Sequence, residues 1–325
     1  MLYEEFAAEF IEGLRNNMDP SVEFDRRKVK KVNAELDGLT VKFPDTAISP
    51  TIYLEDRFQM FEDGYTMDQL IESTIATING AYENAPSMPE LTEEAARERL
   101  YCAVVNADKN EEMLKNVPHD RLEDLAVIPR YRVSDNASFI VTNDMCSTLK
   151  MTGEEVLEAA HANTNAHEYE CQGMSEILRN IMMDQGMPDD YIEDFIQAQD
   201  MEANEVMYVV TDESKAEAAA AITSVNAMQS AYEKIKKAHP DMNDMYVLGS
   251  SRHELILVPD DAVSDEEFLR SMHKEVQDTQ LSNSDKLTDC VYKYNANTRQ
   301  ITIVDAPVMA QEQAMEVTRS HARAH

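Results

Sequence analysis

Apolar residues along this chain recur with two different periods, and the period separates predicted helices from predicted strands. The first helical stretch carries apolar residues at every fourth position, namely Leu2, Phe6, Phe10 and Leu14. Glutamate and arginine side chains stand between them, so the spacing predicts an amphipathic helix over residues 2–17. Shorter apolar runs bounded by turn residues predict strands.

The predicted helices come in groups. Thr66 and Thr92 each precede a helical stretch and have the side chain of an N-cap residue. A second group covers residues 153–166 and 174–183 and resumes after Pro188. Further helices are predicted over residues 216–238, over 264–277 and from about residue 309.

The predicted strands come as hairpins. Residues 28–34 and 39–43 are expected to pair around Asp37-Gly38, a dipeptide typical of two-residue hairpin loops. Other hairpins are predicted at 125–141, at 245–259 and at 291–304. Hairpins with grouped helices, rather than alternating βαβ units, predict an α+β fold. We expect two lobes, residues 1–150 and 151–325, with the hairpin 245–259 central to the second.

The charge balance narrows the classes of partner. The chain has 325 residues, 43% of them hydrophobic, which suffices for a sizeable core. A net charge of -33 argues against binding to nucleic-acid backbones and to anionic membranes. It permits a basic protein partner or mimicry of nucleic acid, although solubility alone explains it. The acidic residues concentrate in the predicted helices of 151–205, where fourteen Asp or Glu accompany one basic residue, Arg179.

Other features indicate a cytoplasmic protein. No apolar run approaches the roughly 18 residues that cross a bilayer, and the N-terminus lacks the pattern of a signal peptide. Four cysteines are scattered singly, at Cys102, Cys146, Cys171 and Cys290. Scattered cysteines without a dense framework are typical of reduced thiols in a cytoplasm.

The densest group of reactive side chains lies in the turn of the predicted hairpin 245–259. Ser251 and His253 are candidate catalytic residues, because serine and histidine together can perform acyl transfer. Ser250, Arg252 and Glu254 are candidate ligand-binding residues. Strand alternation places His253 and Glu254 on opposite faces, which separates the carboxylate from the imidazole. We favour a structural turn in which the serine hydroxyls satisfy backbone groups.

A second group consists of His167 and Cys171. Four residues apart on a helix, these two zinc-ligating side chains would share a face. A single pair is insufficient for a metal site, so we favour a polar helix end and expect no metal. We also expect no nucleotide cofactor, because phosphate cradles need clustered glycines and no two of the eight glycines are within two positions of each other.

Several motifs occur in a fixed order along the chain. They are Ser-Pro-Thr-Ile-Tyr-Leu at 49–54, Asp-Leu-Ala at 124–126 and Ser-Ser-Arg-His-Glu at 250–254, with further stretches at 105–110, 163–164 and 287–292. In these motifs the chain resembles a bacterial family of uncharacterised proteins, a domain-of-unknown-function family common in gut anaerobes. The resemblance implies a shared fold and no particular activity.

Three functions remain open at this point. The first is a cytoplasmic binding or interaction protein without catalysis, which would use the acidic helices or the turn at 250–254. The second is a hydrolase centred on Ser251 and His253. The third is an acidic mimic, or the partner of a basic protein. The sequence does not indicate an oligomeric state.

Overall fold

A computed structural model describes residues 1–44, 49–84, 91–134, 137–202, 204–214, 216–282 and 284–304. The helix expected from about residue 309 lies outside these ranges. Contacts divide the chain into two compact units, Met1–Glu90 and Leu91–His325. The boundary expected from the sequence, between residues 150 and 151, falls inside the second unit. In the described ranges the strands pair antiparallel and the helices are grouped, which confirms the α+β class.

The described residues of the first unit form a three-stranded sheet and three helices. In chain order these are α1 (Tyr3–Asn17), β1 (Glu23–Lys31), β2 (Ala34–Lys42), β3 (Thr51–Tyr53), α2 (Leu54–Glu62) and α3 (Met67–Glu83). The apolar stripe predicted for α1 is buried, since Phe6, Phe10 and Leu14 are all 0% exposed. It packs in one core with Leu39 of β2 and Leu70 of α3.

The β1–β2 hairpin turns at a different place from the predicted one. Its loop is Val32-Asn33, whereas Asp37 and Gly38 lie within β2. Asn33 has φ 59°, a left-handed conformation that asparagine tolerates better than most residues. A Cβ at Gly38 would lie 2.5 Å from Cγ2 of Val29. Glycine at position 38 therefore permits close packing within the sheet, and the prediction of a turn there was wrong.

The described residues of the second unit form two sheets and a larger number of helices. Its elements in chain order are α4 (Glu93–Arg99), β4 (Leu100–Asn106), α5 (Glu111–Leu114), β5 (Asp120–Leu122), β6 (Leu125–Ser134), β7 (Ala137–Ile140), α6 (Asn143–Leu149), α7 (Gly153–Ala166), β8 (Glu170–Gly173), α8 (Met174–Asp184), α9 (Asp189–Ala198), β9 (Tyr208–Thr211), α10 (Val225–Ala238), β10 (Met245–Leu248), β11 (Leu255–Pro259), α11 (Glu266–Gln280), β12 (Val291–Asn295) and β13 (Gln300–Ile303). One sheet has the order β4-β6-β5, with β7 also on β6; the other has the order β13-β12-β10-β11-β9-β8. The predicted hairpin 245–259 is confirmed as β10 and β11, in the middle of the larger sheet.

The stretch predicted as one helix over 216–238 is divided in two. A 3₁₀ helix covers Ala218–Thr223, and α10 begins after Ser224, whose hydroxyl accepts a hydrogen bond from the Ala227 backbone N–H at 3.1 Å. Four consecutive alanines, 218–221, are almost completely buried. Their small side chains let the 3₁₀ backbone approach β4 and β9 closely. Among the described helices, none is both long and apolar enough to cross a bilayer.

Asp124, in the turn between β5 and β6, connects the two sheets of the second unit. Its carboxylate accepts hydrogen bonds from the Thr288 hydroxyl at 2.6 Å and from the Tyr292 hydroxyl. Thr288 and Tyr292 are both 0% exposed. A carboxylate that accepts hydrogen bonds from two buried hydroxyl groups holds the segments that carry them in place.

Candidate functional site

Two serines of the loop that joins β10 to β11, residues 249–254, stabilise its conformation through hydrogen bonds. Ser251 is 1% exposed, and its hydroxyl accepts a hydrogen bond from the His253 backbone N–H at 3.0 Å. The Ser250 hydroxyl contacts Nδ1 of His273 at 3.1 Å. Both hydroxyls therefore stabilise the loop from inside the fold.

Ser250 belongs to a short buried hydrogen-bonded chain. His273 in α11 is 1% exposed, and its Nε2 lies 2.8 Å from the carbonyl oxygen of Thr288. A carbonyl only accepts, so Nε2 carries the proton and Nδ1 accepts from the Ser250 hydroxyl. Burial lowers the pKa of His273, which keeps this imidazole neutral. The serine–histidine pair is thus enclosed within the protein.

The His253 ring points to partners other than Ser251. Its Nδ1 lies 2.6 Å from the Ala216 carbonyl oxygen, and its Nε2 lies 3.2 Å from Oδ1 of Asp285. Burial opposes ionisation of Asp285, but hydrogen bonds from Ser282 and His253 hold its pKa below the usual value. The His253 ring therefore anchors the loop to two neighbouring segments. The Ser251 hydroxyl contacts the backbone nitrogen of His253 and not its ring.

An ion-pair chain leads from this loop to a cavity. Arg252 contacts Oε1 of Glu217 at 3.3 Å, and Arg130 contacts the same oxygen at 3.5 Å. The Glu217 side chain is only 11% exposed, so the two arginines balance a largely buried charge. Glu254, the remaining candidate of the turn, is half-buried beside β11.

The cavity has a volume of about 730 Å³. It is formed by the end of α4, β4, the β6–β7 hairpin, the end of α7 and the segment after β9. The charged side chains that line it are Glu98, Arg99, Arg132, Asp212 and Glu217, and Tyr101 and His167 lie beside them. Volumes of a few hundred to about 1,000 Å³ are typical of sites for small molecules.

Two arginines of the cavity lack an ion-pair partner. Arg99 and Arg132 have no carboxylate within ion-pair distance among the described residues. Arg132 lies with its guanidinium carbon 4.8 Å from the Tyr101 ring centroid, and Arg99 donates to the Val133 carbonyl oxygen at 3.3 Å. The arginines of the unit that do form ion pairs are Arg97, Arg121, Arg130, Arg179, Arg252 and Arg270.

The cavity also holds a histidine–carboxylate pair. His167 Nε2 lies 3.1 Å from Oδ2 of Asp212, which is 7% exposed and also accepts from the Ser214 hydroxyl at 2.7 Å. The ring of Tyr169 packs edge-on against His167, and burial together with Asp212 raises the pKa of Tyr169. The buried carboxylate orients the imidazole at the cavity wall.

His167 and Cys171 do not share a helix face, contrary to the geometry assumed from their spacing. α7 ends at Ala166, and Cys171 lies in β8, where it pairs with Val210. Burial raises the pKa of the Cys171 thiol to about 11, which disfavours the thiolate that zinc would require. Within the ranges described, no three His, Cys, Asp or Glu residues are grouped as metal ligands.

The sequence contained a signal for the cavity that was not recognised. Arg130 and Arg132 are separated by one residue on a predicted strand, so they share a face while Tyr131 is buried on the other. Tyr101 is the register partner of Arg130 on the adjacent strand. Two arginines and a tyrosine on one face of two paired strands form a polar surface, but only the tertiary structure shows that this surface borders a cavity.

Comparison with known proteins gives a family and no activity. No curated protein and no solved structure matches the chain. The sequence model of a family of unknown function, DUF5688, matches residues 3–296 and so extends through both compact units. The resemblance to a family of uncharacterised proteins is thereby confirmed. The chain belongs to the family of unknown function DUF5688.

Proposed function

We propose that this chain is a cytoplasmic, non-catalytic binding protein whose cavity binds a small anionic ligand. The observation that carries the proposal is the pair Arg99 and Arg132, which line the cavity without a carboxylate partner among the described residues. In a protein with a net charge of -33, acidic side chains are abundant as partners. Two cationic groups left available at one cavity therefore indicate an external anion.

The chemistry of the cavity suggests a carboxylate or a phosphate ester. The planar guanidinium group binds either anion through two parallel hydrogen bonds. The Arg132 guanidinium already lies over the Tyr101 ring, which limits its motion before a ligand binds. His167, oriented by Asp212, supplies a further polar group at the same wall. A small organic acid or monophosphate with an apolar part is the class of ligand that fits.

Several observations support a binding role in a reducing compartment. Cys102 lines the cavity, but burial raises the pKa of its thiol to about 12, so it is a poor nucleophile at neutral pH. All four cysteines are free, as expected in a cytoplasm. A bacterial origin is implied by the resemblance of the motifs and is part of the proposal.

Calorimetric titration tests the proposal with inorganic phosphate, citrate and phenyl phosphate as probes. We expect at least one probe to bind, and Arg132→Gln and Arg99→Gln each to weaken it by about tenfold or more, because a charged hydrogen bond contributes about 1.5–3 kcal/mol. The matched control is Arg299→Gln, which removes an exposed arginine from the β12–β13 turn. Absence of binding by every probe, or equal affinities in all three variants, would contradict the proposal.

The hydrolase centred on Ser251 and His253 stays a separate prediction with its own measurement. It requires the purified protein to cleave a member of a panel of esters, phosphoesters and peptides. His253→Ala should then abolish the activity, while Arg132→Gln should leave it unchanged. Cleavage that survives His253→Ala would refute this alternative.

A further inference from the structure

The helices α8 and α9 form a hairpin with its own small core, here called the acidic hairpin (Met174–Ala198). Met182, Ile192 and Ile196 are buried against one another, and Leu178 packs beside them. A loop of four residues, 185–188, joins the helices, and so short a connection makes them antiparallel neighbours. Two buried stripes, one on each helix, therefore face each other.

One side of the acidic hairpin is closed by an ion-pair network. Arg179 contacts Glu193 and Glu202, each at 2.7 Å. Arg179 stands three positions before Met182, and Glu193 stands one position after Ile192. This spacing places both residues on the same side of the two facing stripes.

The opposite side is apolar and exposed. Ile181 is 48% exposed, Tyr191 56% and Phe195 37%. Each of the three stands one position before a buried residue of the stripes. In antiparallel helices the positions just before the two stripes lie on the same side of the hairpin, away from Arg179. Three large apolar side chains on one side form a patch typical of an interaction surface.

The edge of this apolar patch carries uncompensated negative charge. Asp184 follows Ile181 by three positions and Asp194 follows Tyr191 by three, so each borders the patch. Both are exposed, and neither has a basic partner within ion-pair distance in the described ranges. Arg179 is the one lysine or arginine in residues 151–205, and it already forms ion pairs with two glutamates. An apolar centre with an acidic rim complements a segment that has an apolar stripe and flanking lysines or arginines.

We propose that the acidic hairpin binds a basic amphipathic helix of another protein through Ile181, Tyr191 and Phe195. The apolar stripe of the partner covers these three side chains, and its basic residues pair with Asp184 and Asp194 on the rim. The binding is independent of the anion proposed for the cavity, whose arginines lie elsewhere in the unit. It should weaken as salt screens the charge pairs, while the apolar contacts persist.

Fluorescence anisotropy with the full chain tests the proposal. The probe is a labelled peptide of lysine and leucine with the leucines at helical spacing, and its control is the same composition in scrambled order. We expect the ordered peptide to bind more tightly, and its affinity to fall between about 20 and 300 mM NaCl. Joint replacement Tyr191→Ser and Phe195→Ser should weaken binding by about tenfold or more, a loss of about 1.4 kcal/mol per tenfold.

Two controls locate the effect on the acidic hairpin. Phe268→Ser removes an apolar side chain of α11 that is 70% exposed, and should leave binding unchanged. Asp184→Asn with Asp194→Asn should weaken binding, whereas the control pair Asp68→Asn with Glu72→Gln, two exposed acids on α3, should not. These charge variants leave the apolar core intact, so they remain informative if the serine variant unfolds.

Three results would overturn the proposal. The first is equal binding of ordered and scrambled peptides. The second is binding that is unaffected by both the serine and the asparagine variants. The third is self-association of the free chain, seen by sedimentation as a mass that rises with concentration and is lost in the serine variant, because the patch would then be covered by a second copy.

Discussion

Polar residues occupy part of the buried stripe of α11. Leu269, His273 and Gln277 recur every four residues and are 4%, 1% and 0% exposed. A helix in this position would ordinarily bury apolar side chains at all three positions. Here the imidazole spans from the Ser250 hydroxyl to the Thr288 carbonyl and so ties the β10–β11 loop to the segment that enters β12. The neutral ring is therefore a structural element of the core.

The buried imidazole predicts a dependence of stability on pH. Burial lowers the pKa of His273 in the native state, and the nearby Asp289 opposes this only in part. An unfolded histidine protonates near pH 6.5. Below about that pH the unfolded chain binds a proton that the native chain does not bind, so the free energy of unfolding should fall by up to about 1.4 kcal/mol per pH unit.

Urea denaturation at several pH values between about 7.5 and 5 measures this effect. The variant His273→Gln should be less stable at neutral pH and should lose the corresponding part of the slope. The control variant is His161→Gln. His161 pairs with Asp120 near the surface, so this variant removes a histidine that lies outside the core. Parallel slopes in the wild type and His273→Gln would contradict the prediction.

Close packing around Gly38 leaves no room for a side chain. A Cβ there would lie 2.5 Å from Cγ2 of Val29 and 2.9 Å from Cγ2 of Thr51. We expect Gly38→Ala to lower the free energy of unfolding by about 1–3 kcal/mol, as overpacking does in other cores. Adding Val29→Ala should restore part of the loss, because it removes the closer of the two methyl groups.

Gly80 provides the matched control for that experiment. It lies in α3, and a Cβ there would meet nothing within 4 Å. Gly80→Ala should therefore stabilise the protein by about 0.5–1 kcal/mol through the helix preference of alanine. Urea denaturation of Gly38→Ala and Gly80→Ala should show changes of opposite sign in the free energy of unfolding. A loss of stability in Gly80→Ala would argue against open space at this position.

At the scale of elements, the start of α8 depends on a side chain distant in sequence. Gly173 precedes the helix and has no side chain to cap it. The Glu205 carboxylate instead accepts hydrogen bonds from the Met174 and Ser175 backbone N–H groups, at 3.0 and 2.9 Å, and from the Ser175 hydroxyl. A carboxylate at a helix N-terminus also interacts favourably with the helix dipole.

Removal of this cap should loosen the acidic hairpin. Glu205→Ala is expected to cost about 1–2 kcal/mol, the range for loss of an N-cap. Hydrogen exchange should show faster exchange in α8 and α9, with protection in β10 and β11 retained. Glu158→Ala is the control, because Glu158 is exposed on α7, outside the acidic hairpin. Equal protection in both variants would contradict the capping role.

Local chemistry determined which elements were predictable. α7 covers Gly153–Ala166, the bounds that its apolar residues indicated. The β1–β2 turn was misplaced because Asp-Gly is favourable in a turn but also tolerated where a sheet needs a glycine for space. The cavity was not predicted, since Arg99, Arg132 and Asp212 come from three separate segments that only the tertiary fold brings together.

At the scale of the whole molecule, the repulsion that comes with a net charge of -33 outweighs the attraction within individual ion pairs. Like charges repel more strongly in the compact native state than in the expanded unfolded chain. Surface pairs such as Lys274 with Asp278 offset little of this repulsion, because both groups are more than half exposed. The acidic surface therefore keeps the chain dispersed and lowers its stability in dilute buffer.

Added salt should consequently stabilise the protein. Screening lengths fall from about 30 Å at 0.01 M to about 8 Å at 0.15 M ionic strength, so most repulsion is lost over this range. A gain of about 1 kcal/mol would raise the melting temperature by about 2–4 °C for a unit of this size. Calorimetry in NaCl and in choline chloride measures it. A shift that differs between the two salts at equal ionic strength would indicate specific ion binding instead.

The environment of the free cysteines, two of them buried and two half-buried, has a practical consequence for labelling the protein. Burial raises the pKa of Cys171 and Cys290 to about 11 and that of Cys102 to about 12, and it also raises the pKa of Cys146. Maleimides react with thiolates, so at neutral pH the native chain offers them few targets. A single cysteine introduced at Met183, which is 52% exposed, can then carry a fluorophore without removal of the natural thiols.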